Sequence, residues 1–350
     1  MASRWLRLMG LLTVLCAASF AVRAEVVPDL YAVSVPVSGQ NAPELQRAAA
    51  SGLRELVVRI SGRSDAENNP ALTAALASAD RYLEQYRYER NSASDAGGAP
   101  WLAQLRFSVG PVEQLLRGAG LPIWGANRPA LQLWLVADDG KTRRFVEEGD
   151  AVIGASIRQQ AQRRGVTIRF PKTFAGVSTD DVMQLNSAKI QASAPPQHGE
   201  IPLLGQLASS NGASWKSRLA LTTGAQTVSA ENDGATLAEA LRPSIDKLID
   251  GLSAQYASVA SAAAEGVSLR VSGIETFDDY TALLNYLSRL AAVKSANPTQ
   301  VVNNEVVVQL KIQGSIEQLM RQFALESRLT PVDATAMAAP LLYRWTAPRG

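Results

Sequence analysis

The sequence predicts a mixed α/β protein of three small domains, a central three-layer α/β domain flanked by two ferredoxin-like units of β-α-β-β-α type. Three observations carry that expectation. Hydrophobic periodicity switches repeatedly between two and about 3.6 residues. Residues 130–137 are apolar on both faces, as a strand covered by helices on both sides must be. Two stretches rich in proline, glycine or small residues, 121–129 and 258–266, break the pattern and read as linkers. The chain has 350 residues, 47% apolar and 19% charged, the composition of a globular protein long enough for several cores.

The first stretch reads as an export signal. Arg4 and Arg7 precede an apolar run over 8–22, and Val22-Arg23-Ala24 supplies the small residues that a signal peptidase reads, so cleavage is expected after Ala24 and a periplasmic location follows. Cys16 follows Leu15, where lipid attachment would want a small residue. Cleavage removes Arg4, Arg7 and Arg23 from the 34 basic residues, leaving 31 against 32 acidic ones, a net charge of −1. The +2 of the whole chain is therefore no argument for nucleic-acid binding. No transmembrane segment is expected after cleavage. Removal of Cys16 leaves no thiol, and His198 is the chain's one histidine, which excludes two-histidine metal sites; no cofactor is expected.

The first unit, 25–120, reads as β-α-α-β-β-α. A strand over 29–37 precedes a helix over 41–60, in which Leu45, Ala48, Leu53, Leu56, Val57 and Ile60 recur at spacings of three and four. Ser61-Gly62 stops it. A short helix over 70–79, strands over 81–90 and 101–109, and a helix over 112–119 follow.

The second unit, 130–257, opens with the doubly apolar strand. A helix over 150–164 and a strand over 166–170 complete a β-α-β unit. A helix over 180–189 and strands over 201–208 and 215–222 come next, and 229–234 reads as a turn into a long helix over 236–256. Thr236 and Glu239 have capping-box spacing, and Pro243 is expected to kink that helix or delay its start. The third unit, 267–347, has the order β-α-β-β-α-β. It comprises a strand at 267–271, a helix over 278–292, a strand pair over 298–312 around Asn303-Asn304, a helix capped by Ser315 and Gln318, and a last strand over 341–346.

The Asp29-Leu30-Tyr31-Ala32-Val33 strand, Arg59-Ile60-Ser61-Gly62, Leu121-Pro122-Ile123-Trp124 and Leu133-Trp134-Leu135-Val136 together resemble the DUF2066 family of exported bacterial proteins. The resemblance extends to the Trp215 strand and the helix ending at Tyr256-Ala257. It implies a Gram-negative envelope setting and brings no activity and no catalytic residues.

Several residues are candidates for binding. Trp124, Asn127 and Arg128, in the first linker, are placed either to hold a ligand between domains or to glue the domains together. Asp138-Asp139-Gly140 ends the central strand, where an open α/β sheet binds ligands. Paired carboxylates there suit acid–base chemistry or a cation, and Asp-Gly equally signals a tight turn. Lys141, Arg143, Arg144, Arg158, Arg163, Arg164, Arg169 and Lys172 outnumber Glu147, Glu148 and Asp150, a basic run open to an anionic envelope component. Ser244 and Lys247 have the Ser-x-x-Lys spacing, on what reads as the wet face of a helix and without companion motifs.

The expectation is a non-enzymatic envelope accessory protein that binds an envelope protein or anionic component through surface complementarity or strand addition. The alternatives are a small-ligand or lipid-binding module using the interdomain cleft, and a hydrolase using Asp138 and Asp139.

Overall fold

The computed structural model describes residues 24–92, 98–195, 200–209, 214–223, 226–257, 266–326, 328–332 and 341–346. The expected export signal up to residue 23, His198, and residues 258–265 of the second linker lie outside them. Helices and strands are mixed throughout, as the fold class requires.

β1 (Ala24–Val26) precedes the first sheet. β2 (Ala32–Val37) leads into α1 (Ala42–Ser61), whose first turn is capped by the Asn41 side chain accepting from the Glu44 amide at 3.0 Å. Gly62, at φ 71°, ends α1 in the left-handed conformation. Short 3-10 turns and α2 (Thr73–Ala77) connect to β3 (Leu83–Arg90), β4 (Trp101–Phe107) and α3 (Val109–Gly118). The sheet order is β2-β4-β3, with β4 antiparallel to both neighbours. β2 and β3 are thus parallel with a strand between them, a split β-α-β. Leu53, Leu56, Val57 and Ile60 of α1 pack with Leu105 and Phe107 in its core.

The expected linker 121–129 is no free connection. Leu121, Ile123, Trp124 and Arg128 are buried, and β5 (Asn127–Pro129) pairs with β1. Its prolines and glycine shape a path through the packed joint between two units.

The second sheet contains β6 (Leu131–Asp138), β7 (Arg143–Phe145), β8 (Ile168–Arg169), β9 (Ile201–Ser209), β10 (Trp215–Thr223) and β11 (Gln226–Gly234). Its order is β11-β10-β9-β6-β7, with β8 also on β6. On one face Leu131, Leu133 and Leu135 meet α4 (Ile153–Arg164) and α7 (Leu237–Tyr256) through Ile157, Ile245 and Leu248. On the other, Trp134, Val136 and Leu204 meet α5 (Thr179–Met183) and α6 (Ser187–Ser193) through Val182 and Ile190. The three-layer expectation for this unit holds. Residues 229–234 are strand rather than turn, because β10 offers a partner along the whole of β11. The expected 180–189 helix is two short helices.

α7 carries the Thr236–Glu239 capping box and continues unbroken past Pro243, so its start is not delayed. Proline cannot donate to the carbonyl four residues back. That carbonyl, of Glu239, accepts instead from Asn232 Nδ2 at 2.9 Å, and the next, of Ala240, accepts from Ser217 Oγ at 2.7 Å. Asn232, on β11, thus supplies the hydrogen bond that the proline removes, and Ser217, on β10, adds one at the carbonyl beside it.

The third unit contains β12 (Gly266–Ser272), α8 (Phe277–Arg289), β13 (Val293–Val302), β14 (Glu305–Ile312), α9 (Ile316–Glu326), β15 (Leu329–Pro331) and β16 (Leu341–Trp345), with sheet order β13-β14-β12-β16-β15. It departs from a plain split β-α-β in one respect. β16 lies parallel to β12, and the short β15 outside it is antiparallel to β16. β15 therefore runs in the direction of an ordinary fourth strand, and the last strand has entered between it and β12. Among the described residues no helix is long and apolar enough to cross a membrane.

Candidate functional site

The residues singled out in the sequence separate into two places: a joint where three arginines are buried, and a turn bordering an open groove.

Arg128 sits at the centre of the joint, fully buried. Its Nε donates to the Gly125 carbonyl at 2.9 Å. Nη1 donates to the carbonyls of Arg164 and Gly165 at 2.9 and 3.0 Å, and Nη2 to those of Arg59 and Trp124 at 2.9 and 2.7 Å. All of the guanidinium's N–H donors are thereby used, and every acceptor is main chain. Arg59 lies in the last turn of α1 and Arg164 in the last turn of α4, so the negative ends of two helix dipoles converge on one buried cation. Burial, with Arg59 and Arg164 nearby, pushes the Arg128 pKa well below its ordinary value. The guanidinium also lies over the Trp124 ring, 4.2 Å from its centroid.

Two other arginines cross the joint in opposite directions. Arg59 reaches from the first unit to the carbonyl of Arg163 at 3.3 Å, and also holds the Ala32 carbonyl at 2.6 Å. Arg164 reaches from the second unit to the carbonyl of Gly62 at 2.6 Å, and pairs with Asp246 and Asp250 at 3.0 and 2.6 Å. Asp250 accepts in turn from the Ser64 amide and hydroxyl at 2.9 and 2.6 Å. A Cβ on Gly62 would fall 2.4 Å from Ser253 Cβ, and one on Gly165, at φ 63°, 2.7 Å from Arg59 Cγ. Both helices end in glycine because the left-handed turn and the close approach each demand it.

Asn127 faces the third unit, where its amide donates to the Glu326 carboxylate. Around it α9 caps the end of α7: Arg321, Gln322 and Gln318 donate to the carbonyls of Gln255, Tyr256 and Ala257. Trp124, Asn127 and Arg128 are therefore glue, and beside Trp124 only about 20 Å³ of space is free, no more than a water-sized void.

Most of the basic run is neutralised by acids, Asp150 from within the run and the others from outside it. Arg143 pairs with Asp138 and Asp180, Arg144 with Asp150, Arg163 with Asp246, and Arg169 with Glu200. Arg158 donates to the Glu148 carbonyl at 2.6 Å. The run thus does not form a continuous free cationic face.

Asp138 and Asp139 lie beside a shallow groove of about 660 Å³, lined also by Lys141, Trp215, Lys216 and Asp233. Their carboxylates hold a turn. Asp138 accepts from the Gly140 amide at 2.9 Å and Arg143 Nε at 3.0 Å; Asp139 accepts from the Thr142 and Lys141 amides at 2.7 and 2.9 Å and from the Thr142 hydroxyl. These donors hold both acids below the usual carboxylate range, whereas a general acid at neutral pH needs the opposite shift. The turn reading accounts for both residues. Ser244 is not on the wet face: it is buried, 2.7 Å from Ser217 Oγ, while Lys247 is exposed. Among the described residues no group of three His, Cys, Asp or Glu side chains could hold a metal ion.

A cleft of about 440 Å³ does separate the first two units, but it is lined by Pro28, Leu30, Ser34, Arg158, Val166 and Ile168 rather than by Trp124 or Arg128. The sequence assigns no site role to Arg59, Asp246, Asp250 or Gly165, and marks Gly62 only as the stop of a helix. One signal was present: Arg59 interrupts the apolar run Leu56-Val57-Val58-Arg59-Ile60, where a charged residue must either face water or find buried partners.

A family model described as a domain of unknown function (DUF8605) matches residues 24–125. That span is the first unit and the approach to the joint, including Arg59, Gly62 and Trp124 but not Arg128. No curated protein and no solved structure matches the chain.

Proposed function

We propose that this chain is an exported, non-enzymatic accessory protein of the Gram-negative envelope that binds another envelope protein through the far end of its third unit. The observation that carries the reading is a set of exposed apolar side chains at that end. Phe277, at the start of α8, is 76% exposed, and Val301 and Val302, at the β13–β14 turn, are 59% and 49% exposed. The Ile274 amide donates to the Asn304 carbonyl at 3.1 Å, which ties the approach to α8 to that turn. Phe277 stacks on Tyr280, with ring centroids 6.1 Å apart. Water-facing apolar groups gathered at one end are the mark of a protein contact. The hydrogen-bonded joints behind them make the three units a frame that presents this end. The export signal expected over residues 1–24 and the resemblance to exported DUF2066 proteins support the location.

A photoreactive amino acid at position 277 tests this in cells. The expected result is a discrete protein adduct that disappears when Val301 and Val302 are both changed to serine. Adducts with lipid alone, or none, would overturn it. The cleft at Pro28 and Arg158 favours a second reading, a small-ligand module; crosslinking to a small molecule from position 158 but not from 277 would select it.

A further inference from the structure

The outer edge of the first sheet carries a different surface. The Asn91 amide donates to the Pro100 carbonyl at 3.0 Å, which fixes which β3 residues face β4 with their main chain: Gln85, Arg87 and Glu89. Tyr86, Tyr88 and Arg90 then turn their N–H and C=O groups outward, and among the described residues no strand pairs with β3 on that side. Tyr86 is 49% exposed. The opposite edge of this sheet is closed differently: Arg59 takes the Ala32 carbonyl, and Pro36 has no N–H to offer.

We propose that this edge pairs with the same edge of a second copy of the chain, antiparallel and in one register, with Tyr88 opposite Tyr88 across a two-fold axis. The strand's charge pattern selects that register. Only outward-facing residues can bond directly, so the candidate axes pass near Tyr86, Arg87, Tyr88 or Glu89. An axis at Arg87 sets two arginines against each other, and one at Glu89 sets two glutamates against each other. An axis at Tyr86 runs the pairing into the irregularity between Leu83 and Gln85. With the axis at Tyr88, Arg87 faces Glu89 of the other copy twice, and Tyr86 faces Arg90 twice. Arg87 and Glu89 already bond within one strand at 2.9 Å, so exchange between copies keeps every charge paired. Arg90 lies over Trp101, 4.6 Å from the ring centroid, which leaves its other face for the incoming tyrosine. Antiparallel pairing of this length adds about six main-chain hydrogen bonds, two for each directly bonded pair. Like charges directly opposite would oppose it, so the pattern works for this register and against the neighbouring one.

This surface is separate from the apolar end of the third unit, and each proposal can fail alone. The full chain with Cys16 replaced by serine carries no thiol, so Tyr88→Cys supplies its only one. Under mild oxidation Tyr88→Cys is expected to form a covalent dimer, and Gln85→Cys, distant from its twin in this register, is not. Sedimentation should show a concentration-dependent dimer, weakened about tenfold or more by Arg87→Glu and restored by Arg87→Glu with Glu89→Arg, since two cross-strand pairs of up to ~1 kcal/mol each are reversed and then rebuilt. A chain that stays monomeric at every concentration would overturn the proposal and make the edge charges a guard against pairing. Equal crosslinking at 85 and 88 would overturn the register, and a melting curve for each variant separates loss of pairing from loss of fold.

Discussion

The Arg164 guanidinium, in the second unit, donates to the main-chain oxygen of Gly62, which ends the long helix of the first unit, at 2.6 Å. Ser253 donates to the same oxygen at 2.8 Å. A helix end leaves carbonyls without partners, and here another unit supplies them. The same device recurs where Arg128 gathers the ends of α1 and α4, and where α9 caps α7. The units are joined largely through helix ends, which fixes their angles more sharply than apolar contact alone.

Gly62→Ala should therefore loosen the joint. Alanine at φ 71° costs about 1–2 kcal/mol from backbone strain alone, and the collision with Ser253 adds to that. Chemical denaturation should show a loss of ~2 kcal/mol or more. An unchanged midpoint would mean that the helix end moves freely.

Arg128→Lys should fail to preserve stability. An ammonium has three donors for the five carbonyls now served, and a compact point charge does not match their planar arrangement. Both Arg128→Lys and Arg128→Met are expected to cost about 3 kcal/mol or more, since each unpaired buried carbonyl costs ~1–3 kcal/mol. Near-native stability in the lysine variant would show that charge rather than fork geometry holds the joint.

Acid should weaken the fold through Asp181. Its carboxylate pairs with Lys189 and closes a capping box with Ser178, which lowers its pKa from 3.8 to about 2. A group depressed in the fold contributes stability above its unfolded pKa and loses it as the folded value is approached. Melting temperature should fall between about pH 4 and pH 2, and Asp181→Asn should flatten that slope. The same slope in the variant would assign the acid sensitivity to other carboxylates.

Glu326 has the opposite sign. Burial beside the joint raises its pKa, although Arg328 and Arg289 pull the other way. Its contribution is then complete in acid and lost as pH rises through the folded value. Glu326→Gln keeps an acceptor for Asn127 and removes the buried charge. It should melt higher than the parent at pH 7 and equal to it at pH 4; a variant less stable at pH 7 would make the ionised carboxylate a net asset.

Much of the fold was legible because its signals are local. The Thr236–Glu239 box, the leucine stripe of α1 and the doubly apolar β6 each need only their neighbours in sequence. Residues 229–234 were not legible, because serine, asparagine, aspartate and glycine read as a turn until β10 supplies hydrogen bonds along their length. The joint was half legible. Trp124, Asn127 and Arg128 stood out as unusual, but the partners that join them to other units lie in α1, α4, α9 and the residue after α4, far away in the chain.

By itself, the order of residues determined the mixed fold class, the caps and most helices and strands, since these depend on period and on interactions within a few residues. Tertiary structure alone decided what the charged groups do. Arg163 and Arg164 meet aspartates about eighty residues away, and Asp138 and Asp139 turn inward on their own hairpin. The physical reason is that a charge takes its meaning from what surrounds it in space. A buried guanidinium ringed by carbonyls and a solvated one on a binding face are the same letter in the chain.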